Sequence, residues 1–128
     1  MTHCEFSEAD EVTKVATIQL AISIRQPYVE QILQGVKKYE YRSTLTHIRG
    51  RVYLYAAKTP VDDSAEWRKA GSERGKLPTG VLVGSIVISG CKPWWRGGFR
   101  YKLEAPKRLR RYLEPNSQPT PKFFKPRV

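Results

Sequence analysis

Between Ile18 and Arg42 the spacing of apolar residues changes period twice, and no other feature constrains the fold of this chain as strongly. From Ile18 to Ile24 the apolar Ile18, Leu20, Ile22 and Ile24 alternate with Gln19, Ala21, Ser23 and Arg25. A period of two marks a half-buried strand, here residues 18–24, with Ser23 and Arg25 on the face away from the apolar row. Pro27 then stands where a first helical position belongs, and Gly35 where a helix stops. Between them Tyr28, Val29, Ile32 and Leu33 share one face, so 27–34 is expected to be a helix of about two turns. Gln26 is a poor cap for it, so packing must hold it. After Gly35 the alternation resumes over 38–42, with Tyr39 and Tyr41 pointing one way and Lys38, Glu40 and Arg42 the other.

The rest of the chain reads mainly as strand. Residues 51–57 are apolar on both faces, as beneath a covering helix, and 80–89 form a long Val- and Ile-rich strand. A helix is expected over 61–70, a polar loop over 71–78 and a short strand over 99–103. Residues 106–113 read as a basic turn or helix, 115–121 as a proline-rich extended segment, and Phe123 and Phe124 as a last strand. The expected fold class is α+β, mainly β: a small mixed barrel with one early helix and one or two further short helices. Tyr53, Tyr55 and Tyr101 are expected in its core. A chain of 128 residues suits one domain. Residues 1–16 lack a sustained apolar pattern and read as a flexible arm before a domain over 17–128.

Charge points to the partner. The formal net charge is +11, unevenly placed. The first fifteen residues carry four acids against Lys14, whereas 92–128 carry eleven bases against only Glu104 and Glu114. A polyanion suits such a surface, and nucleic acid is the commonest one. An anionic membrane suits it less, because the bases lie among prolines rather than on an amphipathic helix. No apolar run approaches the roughly 18 residues of a membrane span, and the acidic N-terminus is unlike a secretory signal. A cytoplasmic, intracellular location is therefore expected. Cys4 and Cys91, with only His3 and His47 beside them, match no standard zinc spacing, so no metal and no cofactor is expected. Cys91 reads as a small core residue.

The run Leu20-Ala21-Ile22-Ser23-Ile24-Arg25-Gln26-Pro27-Tyr28, then Ile32-Leu33, Gly35, Lys37, Glu40 and Arg42, resembles the ASCH signature S-x-R-Q-P followed by G-x-K-x-x-E-x-R. Gly50-Arg51-Val52, the strand Gly80 to Ser89 ending at Cys91, and Leu103-Glu104 with Pro106, Arg108 and Leu109 look like its further blocks. The resemblance covers residues 18–128. It implies a PUA-like barrel with a cleft between the barrel and the early helix, in a family of RNA-binding or coactivator-associated modules. Some similar proteins are small enzymes, nucleases or amidohydrolases of acetylated cytidine.

Within that frame Ser23, Arg25, Lys37, Glu40 and Arg42 are the candidate cleft residues. Arg25 and Arg42 can bind a phosphate bidentately, and Glu40 can accept hydrogen bonds from a base edge. A structural ion pair between Glu40 and one of the arginines is the plainer alternative. Trp94 and Trp95, followed by Arg96-Gly97-Gly98, are candidates for stacking on unpaired bases, one expected buried and one exposed. Lys107, Arg108, Arg110 and Arg111 form a basic patch that can track phosphates. Lys37 is the only catalytic candidate. In the amidohydrolases that the resemblance brings in, the matching lysine acts beside a threonine nucleophile and a carboxylate. Here Glu40 occupies the threonine position and Gly84 to Ser89 offers no acid, so Ser23 or Thr44 would have to supply the hydroxyl. The leading function is a nucleic-acid-binding module, RNA favoured, holding phosphate and an unpaired nucleotide in the cleft. The alternatives are a small hydrolase of RNA or acetylated cytidine, and a protein-interaction module with a basic tail.

Overall fold

The structure, a computed structural model, describes residues 18–128. Its elements follow in the order β1 (Ala21–Arg25), α1 (Tyr28–Leu33), β2 (Tyr39–Arg42), β3 (Gly50–Ala57), α2 (Ser64–Lys69), β4 (Val81–Pro93), β5 (Phe99–Leu113) and β6 (Phe123–Phe124). The strands form a single curled sheet, a half-barrel, in the order β2-β5-β4-β3-β1-β6. Strand β1 runs parallel to β3, with Ser23 opposite Tyr55 and Arg25 opposite Ala57, and the other neighbours are antiparallel. The arm expected over 1–16 lies outside the described residues.

The alternation along β1 divides its side chains between two cores. Ile22 and Ile24 join Val52 and Leu54 of β3, Ile86 and Ile88 of β4, and Val29 and Ile32 of α1 in the main cluster. On the opposite face Ala21 joins Tyr53, Tyr55, Leu82 and Phe124. Both faces of β3 are thus covered, which is why its sequence is apolar throughout. Each fully buried Ile or Leu contributes roughly 1.5–3 kcal/mol relative to exposure. Tyr101 is buried in the main cluster, and its hydroxyl donates to the Thr44 carbonyl at 2.7 Å. Cys91 is half-buried against the same cluster.

Helix α1 begins one residue after Pro27, which follows a cis peptide bond. Gln26 does more than its poor capping rank implies. Its Oε1 accepts the Glu30 N–H at 3.1 Å while its Nε2 donates to the Pro78 carbonyl at 3.0 Å. The helix lies close on β4, because a Cβ on Gly84 would come within 2.7 Å of Leu33 Cδ2 and 2.5 Å of the Lys107 carbonyl oxygen. Helix α2 is capped by Asp63, which accepts the Ala65 N–H at 3.0 Å, and it buries Trp67.

One expectation is overturned. Residues 106–113 are neither turn nor helix but the second half of β5, which pairs with β4 from Phe99 to Leu113. The pairing is interrupted by register shifts, and Ala105 takes a φ of 53° immediately before Pro106. These irregularities accommodate a residue that has no N–H to give to a ladder. The long β4 offers a partner over this whole stretch, and pairing overrides local preference.

Candidate nucleic-acid interface

A cleft of about 790 Å³ opens between the end of β1, the start of α1, β2, the loop after β3 and the segment before β6. Ser23, Arg25, Lys37, Glu40 and Arg42 all line it. Strand β1 brings Ser23 and Arg25 to the face away from Ile22 and Ile24. The turn at Gly35 carries the chain to Lys37, whose N–H donates to the Gln31 carbonyl at 3.1 Å. Strand β2 then supplies Glu40 and Arg42.

The charged groups form a chain. Lys37 Nζ stands 3.6 Å from Glu40 Oε1, and Arg42 Nε stands 2.8 Å from Glu40 Oε2. The other two guanidinium nitrogens of Arg42 donate to backbone, Nη2 to Ser23 O at 2.7 Å and Nη1 to Pro121 O at 3.1 Å. Arg25 likewise donates to Thr59 O and Pro60 O, each at 2.8 Å, and so holds the loop that forms one wall. Both arginines therefore shape the cleft while adding charge to it. Among its lining residues the bases are Arg25, Lys37, Arg42 and Lys58, and the only acid is Glu40. Field lines concentrate in such a basic concavity.

Aromatic rings extend the cleft outward. Lys37 Nζ lies 5.1 Å from the ring centroid of Tyr28 and 5.1 Å from that of Tyr41. Burial, with help from Glu66, Asp63 and Glu40, pushes the Tyr28 phenol above its usual range, so it remains a neutral hydrogen-bond donor. Tyr41 packs on Trp94 with centroids 4.3 Å apart, and Trp94 meets Trp95 at 6.2 Å. Arg96 covers both indoles, its Cζ 5.6 Å from the first ring and 4.8 Å from the second. These residues form the tight tip of the β4–β5 hairpin, closed by Trp94 N–H to Gly98 O at 3.0 Å. Gly98, at a φ of 71°, lets this tip close on β2, since a Cβ there would meet the Arg42 carbonyl oxygen at 2.6 Å. Trp94 is half-buried and Trp95 is 81% exposed.

The basic patch lies elsewhere, along the second half of β5. Arg108 pairs bidentately with Glu30 of α1, at 3.0 and 2.6 Å. This hydrogen bonding holds the Glu30 carboxyl below its usual range against the opposing effect of burial. Lys107, Arg110 and Arg111 are exposed. The side chains of Arg110 and Arg111 have no ion pair or hydrogen bond to any described residue.

Sequence reasoning missed Tyr28, Tyr41, Lys58 and the segment Gln118–Pro121 as parts of the cleft. Tyr41 alternates with Glu40 and Arg42, which places it on the opposite face of a strand. At the sheet edge, where β2 sits, both faces reach one concavity. Among the described residues no cluster of His, Cys, Asp and Glu can hold a metal ion, and no helix is long and apolar enough to cross a membrane.

The fold is shared with solved structures. The wild-type ASCH protein of Zymomonas mobilis superposes with a TM-score of 0.56 at 13% identity, over 83% of this chain and 85% of that one. Two point variants of it match with TM-scores of 0.58 and 0.57 at 13% and 12% identity, covering 83% of this chain and 86% and 88% of theirs. No curated protein matches in sequence. The ASCH domain family model matches residues 22–114, from β1 through β5. This chain therefore belongs to the ASCH domain family, a PUA-like fold generally linked to RNA binding.

Proposed function

We propose that the protein binds single-stranded nucleic acid, RNA in preference, and seats one unpaired nucleotide in the cleft between β1, α1 and β2. The observation that carries this reading is the continuous path of rings and cations from Tyr28 through Lys37, Tyr41 and Trp94 to Trp95 and Arg96. Every base has a π-face, so a ring platform next to fixed positive charge suits an unpaired strand whatever its sequence. A duplex keeps its bases stacked on one another and offers none to the rings.

In this reading Lys37 and Lys58 contact phosphate, and the Tyr28 phenol and Glu40 address the base edge. Tyr41, Trp94 and Trp95 stack, with Arg96 adding cation–π attraction. Arg25 and Arg42 act chiefly as positioning residues, because backbone carbonyls already engage their forks. Titration with single-stranded RNA and with duplex RNA of equal length, followed by tryptophan fluorescence, tests the reading. The single strand is expected to quench the emission and bind more tightly. Equal binding of the duplex, or no change in emission on saturation, would overturn it.

A further inference from the structure

The cleft does not end at Lys37. The same residue borders a second hollow of about 320 Å³, which has Ile32 and Leu103 in its lining and Lys38 and Lys102 beside them. Farther along, a third hollow of about 430 Å³ lies between Gln26, Glu30 and Leu33 on one side and Arg108 to Tyr112 on the other. The second and third hollows both follow the flank of α1 against β5, the second by its C-terminal end and the third nearer its start. Together with the cleft they bend around the short helix, with Lys37 at the first junction.

The charges along this route are not equivalent. Arg108 is neutralised by Glu30, and Lys102 Nζ stands 3.9 Å from Glu104. Lys38, Arg110 and Arg111 are exposed, with no ion pair or hydrogen bond from their side chains to any described residue. The edge of β5 that bears the two arginines is open, and Lys38 stands just before β2 where the pairing with β5 ends. Strand β2 pairs with β5 only from Phe99 to Lys102, so from Ala105 to Leu113 β5 is paired only on its β4 side. A bare strand edge invites pairing with another chain, and a row of bases on it repels a second copy of the same edge. Free cations spaced along a groove suit a phosphate backbone.

We infer that the bound strand does not end in the cleft. It continues from the cleft over Lys37 and Lys38 into the groove between α1 and β5, where Arg110 and Arg111 take its phosphates. The inference rests on the proposed nucleotide cleft and adds the path of the strand beyond it. From Lys102 to Arg111, β5 spans at most about 30 Å at ~3.3 Å per residue. That length belongs to an oligonucleotide footprint, within the range of about 4–16 nucleotides known for small single-strand binders.

The test compares a uridine mononucleotide, a dinucleotide and a strand of about twelve nucleotides on the full chain, by anisotropy or competition at low salt. Affinity is expected to rise with length and then level off. The double variant Arg110→Ser/Arg111→Ser is expected to bind the dinucleotide as wild type does and the long strand about tenfold more weakly. Its salt slope for the long strand should be shallower by about 1.4, two contacts at ~0.7 each. A dinucleotide that binds as tightly as the long strand would overturn the path and leave the cleft reading standing. So would an unchanged long-strand affinity in the double variant. Failure of every length to bind would overturn both. Both arginines are exposed, so the variant should fold, and a melting curve confirms it. Lys38→Ser supplies an independent variant, with a smaller loss for the long strand and a salt slope shallower by about 0.7, one contact. Polyglutamate displacing the long strand as effectively as unlabelled RNA would identify the groove as a site for acidic peptide and overturn the inference.

Discussion

Arg42 Nη2 donates to the Ser23 carbonyl at 2.7 Å, linking β2, at one end of the sheet, to β1, next to its other end. The same guanidinium reaches the Pro121 carbonyl just before β6, while its Nε is fixed by Glu40. One side chain thus fastens the half-barrel at its seam, and the seam is a wall of the cleft. The final residue of the family motif therefore serves the fold first, and shapes the site through it.

Removing that clasp should cost stability. Arg42→Ala leaves a largely buried Glu40 with only Lys37 at 3.6 Å and two carbonyls without their donor, so a loss of about 2–4 kcal/mol is expected by urea denaturation. Arg42→Lys should recover little of it, because an ammonium cannot reproduce a fork held at three nitrogens. Full recovery by lysine would show that charge alone matters there.

The approach of α1 to β4 gives a second test. Gly84→Ala places a Cβ 2.5 Å from the Lys107 carbonyl oxygen and 2.7 Å from Leu33 Cδ2. Overpacking of this kind costs roughly 1–3 kcal/mol. Leu33→Ala alone would relieve only the side-chain contact, so the double variant should stay less stable than Leu33→Ala by itself. Gly84→Ala melting at the wild-type temperature would mean that helix and sheet sit farther apart than described.

The strand–helix–strand order of the first half was legible because it rests on local periodicity. Ile22 and Ile24 alternate, Val29 and Ile32 recur at helical spacing, and Gly35 stops the helix. Strand β5 was not legible beyond Leu103. Its continuation through Arg108 and Arg111 depends on a partner, β4, whose reach is set by the tertiary fold. The candidate cleft was half legible in the same sense. The motif brings Ser23, Arg25, Lys37, Glu40 and Arg42 together, yet the partners of the arginines are carbonyls of Thr59, Pro60 and Pro121. Every residue carries a backbone carbonyl, so no residue type announces one as a partner. Tyr41 was hidden by strand alternation and Lys58 by a loop whose course Arg25 fixes.

The Glu30–Arg108 pair should be visible in acid titration. The folded-state pKa of Glu30 is depressed, chiefly by the hydrogen bonds from Arg108. A depressed carboxylate stabilises the fold above its unfolded pKa, near 4.5, and that contribution is lost as pH falls through the folded value. Arg108→Gln should therefore raise the Glu30 pKa measured by NMR and flatten the acid limb of stability below about pH 4.5. The change in stability at neutral pH should be small, because Arg108 is half-exposed and solvent screens it. An unmoved Glu30 titration would show that the pair does not persist in solution.

Trp95 separates binding from folding. At 81% exposure it contributes little to the core, so Trp95→Ala should leave the melting temperature unchanged. Affinity for single-stranded RNA should fall by about 1–3 kcal/mol, the range for one base–aromatic stack. Trp95→Phe should keep part of it. Trp94→Ala should differ by lowering stability as well, since Trp94 is half-buried on Tyr41. Equal melting temperatures for the two alanine variants would argue against that division.

Lys37→Ala decides whether the cleft binds nucleic acid or is only scaffold. Glu40 keeps its bond to Arg42 when Lys37 is removed, so the clasp at the seam survives the substitution. Binding of a short single-stranded RNA and thermal melting should be measured on the same preparations of wild type and variant. The expected result is an affinity loss of about 1–3 kcal/mol, the range for hydrogen bonds and ion contacts to a charged group, with a melting temperature lower by no more than a few degrees, since only the ion pair at 3.6 Å and the ring contacts of Lys37 are lost. A destabilised variant that binds RNA as tightly as wild type would contradict it, and would make Lys37 part of the scaffold.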